Sequence, residues 1–330
     1  MTFTHKMYRR TALMVVLCTL ALSKLALVAG VWAETPSEKS AETQREERKA
    51  YKLNLNERFL PEDRDHPLVP ALQIAHDGVR YLDQHVRDYT CRLVARERIN
   101  GRLKKYEFML LKVRRPQTGD QMATVPFSVY IRFLGPKSLK GREILYVDGR
   151  NNGELLARNG GTGNLQDVTM SLVPRSPRAM SNYRYPLTEI GIRTMGERLL
   201  EIGYDSLQAD RQRRECEVQI RNGAKVDGRS CRVIQVRFPV QRPELRFHLA
   251  RVFVDEKLPL PLRYESYGWP AAEGQSPPLR EEYTYLDLQL NPGLTDLDFQ
   301  RDNPEYKFYE RPAEDVAPAE ARAGDASPAG

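Results

Sequence analysis

Residues 88–113, DYTCRLVARERINGRLKKYEFMLLKV, decide how this chain folds. On both sides of Asn100-Gly101 the sequence takes on the period of two that is typical of β-strands. Asn-Gly between two such runs is the strongest short-range signal for a hairpin, because both residues tolerate the positive φ of its turn. The stretch therefore predicts two antiparallel strands joined by a tight turn.

Strand-like runs continue along most of the chain, separated by clusters of Gly, Pro, Asn and Asp. They are FSVYIRF (127–133), GREILYV (141–147), ELLARN (154–159), RECEVQI (214–220), RSCRVIQVRF (229–238), LRFHLARVFVDE (245–256), LPLRYESYGW (260–269) and REEYTYLDLQL (280–290). Short links without helical crossovers imply antiparallel pairing. With the first hairpin, the runs predict about ten antiparallel strands.

Two segments have the helical period instead. The first places apolar residues three and four apart, at Leu72, Ala75, Val79, Leu82 and Val86. The second, residues 187–207, carries a stripe of Ile190, Met195, Leu199 and Ile202, and is weakened by Gly191 and Gly196. The pattern predicts an α+β fold: one large curved antiparallel sheet, an unclosed β-barrel of about ten strands, with the two helical segments covering its concave face.

The first 33 residues resemble an export signal. A basic start with Arg9 and Arg10 precedes an apolar run over 11–30 and a small-x-small motif that ends at Ala33. The alternative is an uncleaved membrane anchor, but Lys24 within the apolar run argues against a stable span. We expect a signal peptide over 1–33, cleaved after about Ala33, and a secreted product in the periplasm or cell envelope.

The rest of the chain divides by composition. Residues 34–66 are predicted to be a disordered or extended linker, 67–310 a single domain, and 311–330 a disordered Pro/Ala-rich tail. Because the leader holds four basic and no acidic residues, its removal lowers the formal net charge from +7 to +3. The mature chain also lacks a basic run with interleaved aromatics, so we expect no nucleic-acid partner.

Residues 148–159, DGRNNGELLARN, partly match a calcium-binding EF-hand loop. Asp148, Asn152 and Gly153 fit, but the cation Arg150 stands at position 3 and Asn159 stands at position 12, where the loop needs Glu. Strand-like runs flank the stretch, whereas helices flank an EF-hand. We therefore predict a hairpin turn whose Gly and Asn residues allow positive φ.

The sequence contains none of the familiar catalytic or metal-binding motifs, such as GxSxG, HExxH, a Walker loop or paired CxxC. His66, His76, His85 and His248 have no ligand spacing among them. We therefore expect no cofactor, no metal and no catalytic residues, and predict that the protein is not an enzyme. An enzyme whose active site is dispersed along the chain is the less favoured alternative.

Three cysteines follow the leader: Cys91, Cys216 and Cys231. Cys216 and Cys231 flank one hairpin region and are the candidate disulfide. A turn at residues 222–225 would bring them together, whereas a turn at Asp227-Gly228 would place them too far apart. The alternative is that all three are small buried apolar residues.

An open sheet with only two helical segments leaves inward apolar residues that either form plain core or line a cavity for an apolar ligand. The candidates for such a cavity are Leu93, Phe127, Val129, Ile131, Phe133, Phe247, Leu249, Phe253, Leu262 and Tyr285.

Four stretches carry a resemblance to a known family: PFSVYIRF (126–133), TEIGI (188–192), LPLRYESYGWP (260–270) and LDLQLNPGLTDLDF (286–299). Over about residues 67–309 the chain resembles a bacterial family of exported proteins catalogued as a domain of unknown function. More distantly it is similar to the LolA/LolB/RseB-like lipoprotein-carrier superfamily, through the turn at Asp148-Gly149 and the segment 291–299. The second resemblance implies a carrier-like half-barrel, with helices as a lid over a cavity for acyl chains.

These expectations favour an exported binding protein without catalysis, holding a lipid or lipoprotein acyl group. The alternative is an envelope sensor or scaffold that binds a protein partner through the sheet edge or the Arg-rich loop 174–186. We expect no transmembrane span in the mature form.

Overall fold

The computed structural model describes residues 60–117, 125–161 and 167–308. The predicted signal peptide (1–33), the predicted tail (311–330) and residues 34–59 of the predicted linker lie outside the described residues. All described residues belong to one compact unit.

In this unit twelve strands form one antiparallel sheet. They are β1 (Asp88–Ile99), β2 (Arg102–Leu103), β3 (Glu107–Arg114), β4 (Ser128–Gly135), β5 (Glu143–Val147), β6 (Leu155–Arg158), β7 (Thr169–Leu172), β8 (Glu217–Val226), β9 (Arg229–Arg237), β10 (Leu249–Asp255), β11 (Pro261–Tyr267) and β12 (Leu279–Leu290). Their order is β7-β6-β5-β4-β3-β1-β12-β11-β10-β9-β8, and β2 pairs with β1 alone. Within the described ranges the end strands β7 and β8 do not pair with each other, so the sheet is not closed.

The predicted α+β class is confirmed, with two more strands than expected. The additional ones are β2, which continues the hairpin after β1, and the four-residue β7, too short to show a period. Asn100 and Gly101 have φ of 48° and 77°, as the predicted hairpin turn requires. Between β5 and β6, Asn151, Asn152 and Gly153 also have positive φ, which confirms a hairpin turn there.

The helices are α1 (Val69–His85), the short α2 (Pro177–Met180) and α3 (Ile192–Asp210). Helices α1 and α3 pack antiparallel, with Leu72 against Gly203 and Val79 against Gly196. A Cβ at Gly203 would lie 2.5 Å from Leu72 Cδ2, so the missing side chain allows the close approach. The glycines that weaken α3 as an isolated helix therefore serve its packing. Among the described helices, none is both long and apolar enough to cross a bilayer.

The sheet has two covered faces. Its inner face, which includes Leu111, Val129 and Ile131, forms one hydrophobic core with α1 and α3. On the outer face, Tyr130 stacks on Tyr306 with ring centroids 3.7 Å apart. Tyr306 belongs to residues 294–308, here called the strap, which forms a second hydrophobic cluster with β4 and β5.

Helices α1 and α3 cover only part of the inner face. They lie over β9, β10 and β11, where a small apolar space of about 80 Å³ remains between helices and sheet. Over β1, β3–β7 and β12 the cover consists of residues 174–191, here called the lid, and one side of α3. The lid and α3 leave a cavity above the inner face of these strands.

The domain begins earlier than the sequence indicated. Residues 61–63 of the predicted linker form a 3-10 turn, and Asp63 is fully buried. Arg211, just after α3, pairs with Asp63 at 2.7 Å. This ion pair attaches the segment to the fold, because an unpaired carboxylate would be costly to bury.

The expected Cys216–Cys231 disulfide is not formed, and both residues are buried free thiols. The turn falls at Asp227-Gly228, so Cys231 pairs with Ala224, while Cys216 lies beyond the Glu217 end of the same hairpin. At about 3.3 Å per residue, this separation far exceeds the Cα distance of about 4.4–6.8 Å that a disulfide allows.

Candidate functional site

A cavity of about 380 Å³ lies between the inner face of the sheet and the lid. Its volume is within the range of about 300–1,000 Å³ that is usual for small-molecule sites. The floor is formed by the half of the sheet that α1 leaves uncovered, and the roof by the lid and α3.

Most of the wall is apolar. Each strand of the floor contributes alternate side chains, as expected for a sheet with one buried face. The principal apolar residues are Leu93, Ala95, Met109, Ile131, Phe133, Ile144, Leu155, Ala157, Met170, Leu172, Leu187, Ile190, Met195, Leu199, Ile202 and Tyr285.

Four of the ten candidate residues come together in this wall: Leu93, Ile131, Phe133 and Tyr285. Phe247 lines the smaller space beneath the helices instead. Val129 and Leu262 are buried in the core, and Phe127 is partly buried against it.

Leu249 and Phe253 line neither space, because they lie on the opposite face of β10. The inner face of that strand carries Ala250, Val252 and Val254. Phe253 instead lies beneath Arg263, whose guanidinium carbon is 5.4 Å from the centre of the Phe253 ring. The strand is apolar on both faces, so its alternation alone does not decide which side is inward.

The other end of the cavity is polar, and Glu97 of β1 lines it. Glu281 of β12 lies directly opposite Glu97 in the sheet. Glu97 accepts hydrogen bonds from the Tyr283 hydroxyl at 2.5 Å and from the backbone N–H of Arg184 at 3.1 Å. Glu281 accepts from Arg184 Nε at 3.0 Å and from the Tyr185 hydroxyl at 2.8 Å. Because Arg184 and Tyr185 belong to the lid, the two carboxylates attach the lid to the sheet.

Burial sets the protonation of this cluster. It raises the pKa of Glu97, and the neighbouring Glu281 raises it further. Burial, with Glu281 nearby, also raises the pKa of Tyr185 to about 12 and that of Tyr283 well above its usual value. Both tyrosines therefore keep their protons at neutral pH and act as donors.

These polar residues were missed by the sequence analysis, although a usable signal exists. In β1 the inward residues Tyr89, Cys91, Leu93 and Ala95 are followed at the same period by Glu97. In β12, Glu281 has the same parity as Tyr283 and Tyr285. Extending the period of two to the charged residues would have placed both carboxylates on the inner face.

Within the described ranges, one group of potential metal ligands forms away from this cavity: His66, Asp210 and Cys216. The Leu68 backbone N–H donates to His66 Nδ1 at 3.3 Å, which leaves the ring proton on Nε2 facing Asp210 at 3.3 Å. Asp210 also accepts from the backbone N–H groups of Glu215 and Cys216. An Nε2 that carries the ring proton cannot ligate a metal, so the cluster fits a charge contact between His66 and Asp210 better than a metal site.

Several solved structures are distantly similar to this chain. A putative outer membrane lipoprotein-sorting protein domain from Vibrio parahaemolyticus is 13% identical over 70% of this chain and 96% of that chain, with a TM-score of 0.32. A LolA superfamily protein from Nitrosomonas europaea is 12% identical over 70% of this chain and 98% of that chain, with a TM-score of 0.27. A chain of the Pseudomonas aeruginosa MucA/MucB complex is 13% identical over 70% and 61%, with a TM-score of 0.36.

A search of curated proteins finds no match to this chain. A family described as "Protein of unknown function (DUF1571)" matches residues 86–308, which is more than half of the chain. This match confirms the resemblance to a family of unknown function that the sequence motifs indicated. The chain belongs to the DUF1571 family of proteins of unknown function.

Proposed function

We propose that this chain is an exported, non-catalytic binding protein that holds the acyl chain of a lipid or lipoprotein beneath its lid. The observation that carries the proposal is the apolar cavity of about 380 Å³ between the inner face of the sheet and the lid. The lid and α3 roof this space without filling it.

The wall suits an alkyl chain. Aliphatic and methionine side chains from both floor and roof surround the space, including Leu155, Met170 and Met195. Burying each methylene contributes about 0.8 kcal/mol, so a chain of several carbons can be held without any polar contact. Unbranched methionines adapt to chains of different length and bend.

The arrangement of the polar end supports binding rather than catalysis. The lid and the neighbouring tyrosines supply hydrogen-bond donors to both Glu97 and Glu281. A general acid or base needs a proton that it can exchange with a substrate. Here the carboxylates hold the lid in place, which is a structural use of their charge.

The experiment is the uptake of a fluorescent fatty acid by the purified protein. Ala157 points into the cavity from β6, and an Ala157→Trp variant fills part of the space. We expect the wild type to bind the probe and Ala157→Trp to bind it at least about fivefold more weakly, since several methylene contacts are lost. The exposed Ala272 offers the matched control Ala272→Trp, which should bind like the wild type.

Thermal unfolding of each variant separates blockage from misfolding. If Ala157→Trp does not fold, Met170→Trp on the adjacent β7 fills the same space. The proposal would be contradicted if the folded wild type did not bind the probe. It would also be contradicted if Ala157→Trp and Met170→Trp both folded and bound the probe as tightly as the wild type.

A second candidate function is the binding of a protein partner by strand addition at β8. This edge strand is largely exposed, and Ile220 on it is 42% exposed. An unpaired edge of this kind can accept a strand from another chain. Photo-crosslinking from position 220 in the host envelope should then give a defined adduct that a Val218→Pro variant loses, because the Val218 N–H faces away from β9. Crosslinking from the exposed Lys137 should give none.

The loop 174–186, the other surface considered for a partner, lies over the cavity. Arg175 pairs with Glu189, and Arg184 pairs with Glu281. These contacts make the loop part of the lid, so strand addition at β8 is the better-supported mode of partner binding.

A further inference from the structure

Three basic side chains at the polar end of the cavity have no acidic partner. Lys105, Arg142 and Arg178 all line the cavity. Among the described residues, none of the three forms an ion pair, whereas the neighbouring Lys104 and Arg198 are paired with Glu107 and Glu189.

Arg142 stands where the apolar wall meets the polar end. Its guanidinium carbon lies 5.8 Å from the centre of the Phe133 ring, and both residues line the cavity. Its Nε is buried and has no hydrogen-bond partner within the described part of the chain. The Arg142 side chain also hydrogen-bonds Tyr183, but its buried Nε is left without an acceptor in the described ranges. An unsatisfied charged donor is costly, so this position favours a ligand that supplies an acceptor.

The acidic residues of the cavity do not meet this need, because each already has a partner. Glu107 pairs with Lys104 at 2.5 Å, and Glu189 pairs with both Arg175 and Arg198. Glu97 accepts hydrogen bonds from the lid and from Tyr283, so its oxygens are already in use. The charge left over at the polar end is therefore positive.

We propose that this end binds the anionic head group, a carboxylate or a phosphate, of an amphiphile whose alkyl chain occupies the apolar part. The inference rests on the proposed function and specifies its ligand class. A guanidinium offers several N–H donors in one plane, which match two oxygens of a carboxylate or phosphate. A cationic head group would meet the like charges of Lys105, Arg142 and Arg178 and is therefore disfavoured.

The test uses four ligands with the same twelve-carbon chain: dodecanoate, dodecyl phosphate, dodecanol and dodecyltrimethylammonium. Each displaces a neutral fluorescent probe from the full chain. We expect at least one anionic ligand to bind about tenfold more tightly than dodecanol, and the ammonium to bind more weakly than dodecanol, as expected for charge-assisted hydrogen bonds. Comparison of the two anions identifies which oxyanion the site prefers.

Variants that each remove one positive charge identify the residues that bind the head group. Arg142→Gln should reduce binding of the preferred anion about tenfold and leave dodecanol binding unchanged. Arg178→Gln, at an exposed lid residue, should act in the same direction and covers the case in which Arg142→Gln does not fold. Lys137→Gln removes an exposed charge outside the cavity and should change nothing.

The outcomes separate the two proposals. If no ligand binds the folded protein, the acyl-binding function itself fails. If dodecanol binds as tightly as both anions, or if Arg142→Gln and Arg178→Gln weaken all four ligands equally, the head-group inference is overturned while acyl binding stands.

Discussion

Glu97 and Glu281 lie directly opposite each other across β1 and β12, and both carboxylates hold the same lid residue, Arg184. Two acidic side chains in register would repel each other if both were charged and unpaired. The raised pKa of Glu97 and the guanidinium beside Glu281 relieve that repulsion. The close approach of Glu97 and Glu281 is therefore stable only while Arg184 of the lid is bound to both.

Removing the charge at Glu281 should loosen the lid. In Glu281→Gln the buried side chain loses its ion pair with Arg184. We expect the free energy of unfolding to fall by about 2 kcal/mol, as for hydrogen bonds that involve charged groups. Hydrogen exchange of the lid amides should become faster, while exchange in β4 and β5 should stay as in the wild type.

The control for this variant is Arg80→Gln on α1, which removes an exposed pair with Asp77. It should change the free energy of unfolding by less than about 0.5 kcal/mol. Unchanged lid exchange in Glu281→Gln would show that the carboxylate does not hold the lid.

The two helix glycines Gly78 and Gly203 should respond differently to alanine. Both lie within helices, where alanine is favoured by about 1 kcal/mol. A Cβ at Gly203 would meet the end of the Leu72 side chain, which can move, whereas a Cβ at Gly78 would meet the backbone carbonyl oxygen of Pro259. We expect Gly78→Ala to lower the free energy of unfolding by about 2–3 kcal/mol, and Gly203→Ala to change it by less than about 1 kcal/mol.

Urea unfolding of the two variants measures this difference. In a double-mutant cycle, the cost of Gly203→Ala should be smaller in a Leu72→Ala background than in the wild type. The cost of Gly78→Ala should be the same in both backgrounds. An equal decrease in the free energy of unfolding at the two glycines would contradict this prediction, because it would mean that the backbone at Pro259 moves as easily as the Leu72 side chain.

The strap should contribute stability that disappears in acid. Burial opposes ionisation of Asp298, but hydrogen bonds from Lys112 and Thr295 outweigh it and lower the pKa of Asp298. A lowered folded pKa gives stability that is present above the unfolded value of about 3.9 and is lost as pH falls through the folded value. Lys112 remains charged throughout that range because its own pKa is raised.

Asp298→Asn should therefore lower the free energy of unfolding by about 1–2 kcal/mol at pH 7 and by much less near pH 2.5. The measurement is urea unfolding at several pH values. A loss that is the same at both pH values would show that the Asp298 charge does not fasten the strap.

The sheet could be predicted because its signals are local. The alternation of DYTCRLVARERI and the Asn100-Gly101 turn fix a hairpin with no information from the rest of the chain. β7 escaped prediction because four residues are too few to show a period. The 294–308 strap escaped because it packs through isolated aromatics such as Tyr306, which carry no periodic pattern.

The site could be predicted only in part. Leu93 and Ile131 follow the inward parity of clearly alternating strands, and both line the cavity. The polar end depends on Glu97, Arg184 and Glu281, which are far apart in sequence and meet only through the β1–β12 pairing and the lid. The turn at Asp227-Gly228, one of two that the sequence allowed, is what separates the two cysteines.

The central claim is that the cavity beneath the lid holds an amphiphile. Native mass spectrometry of the exported protein, purified without detergent from its own host, tests this most directly. We predict a bound species with the mass of a single acyl-chain amphiphile, which gas-phase activation releases and which Ala157→Trp lacks. Only the unliganded mass for the wild type, or the same adduct in Ala157→Trp, would contradict the account.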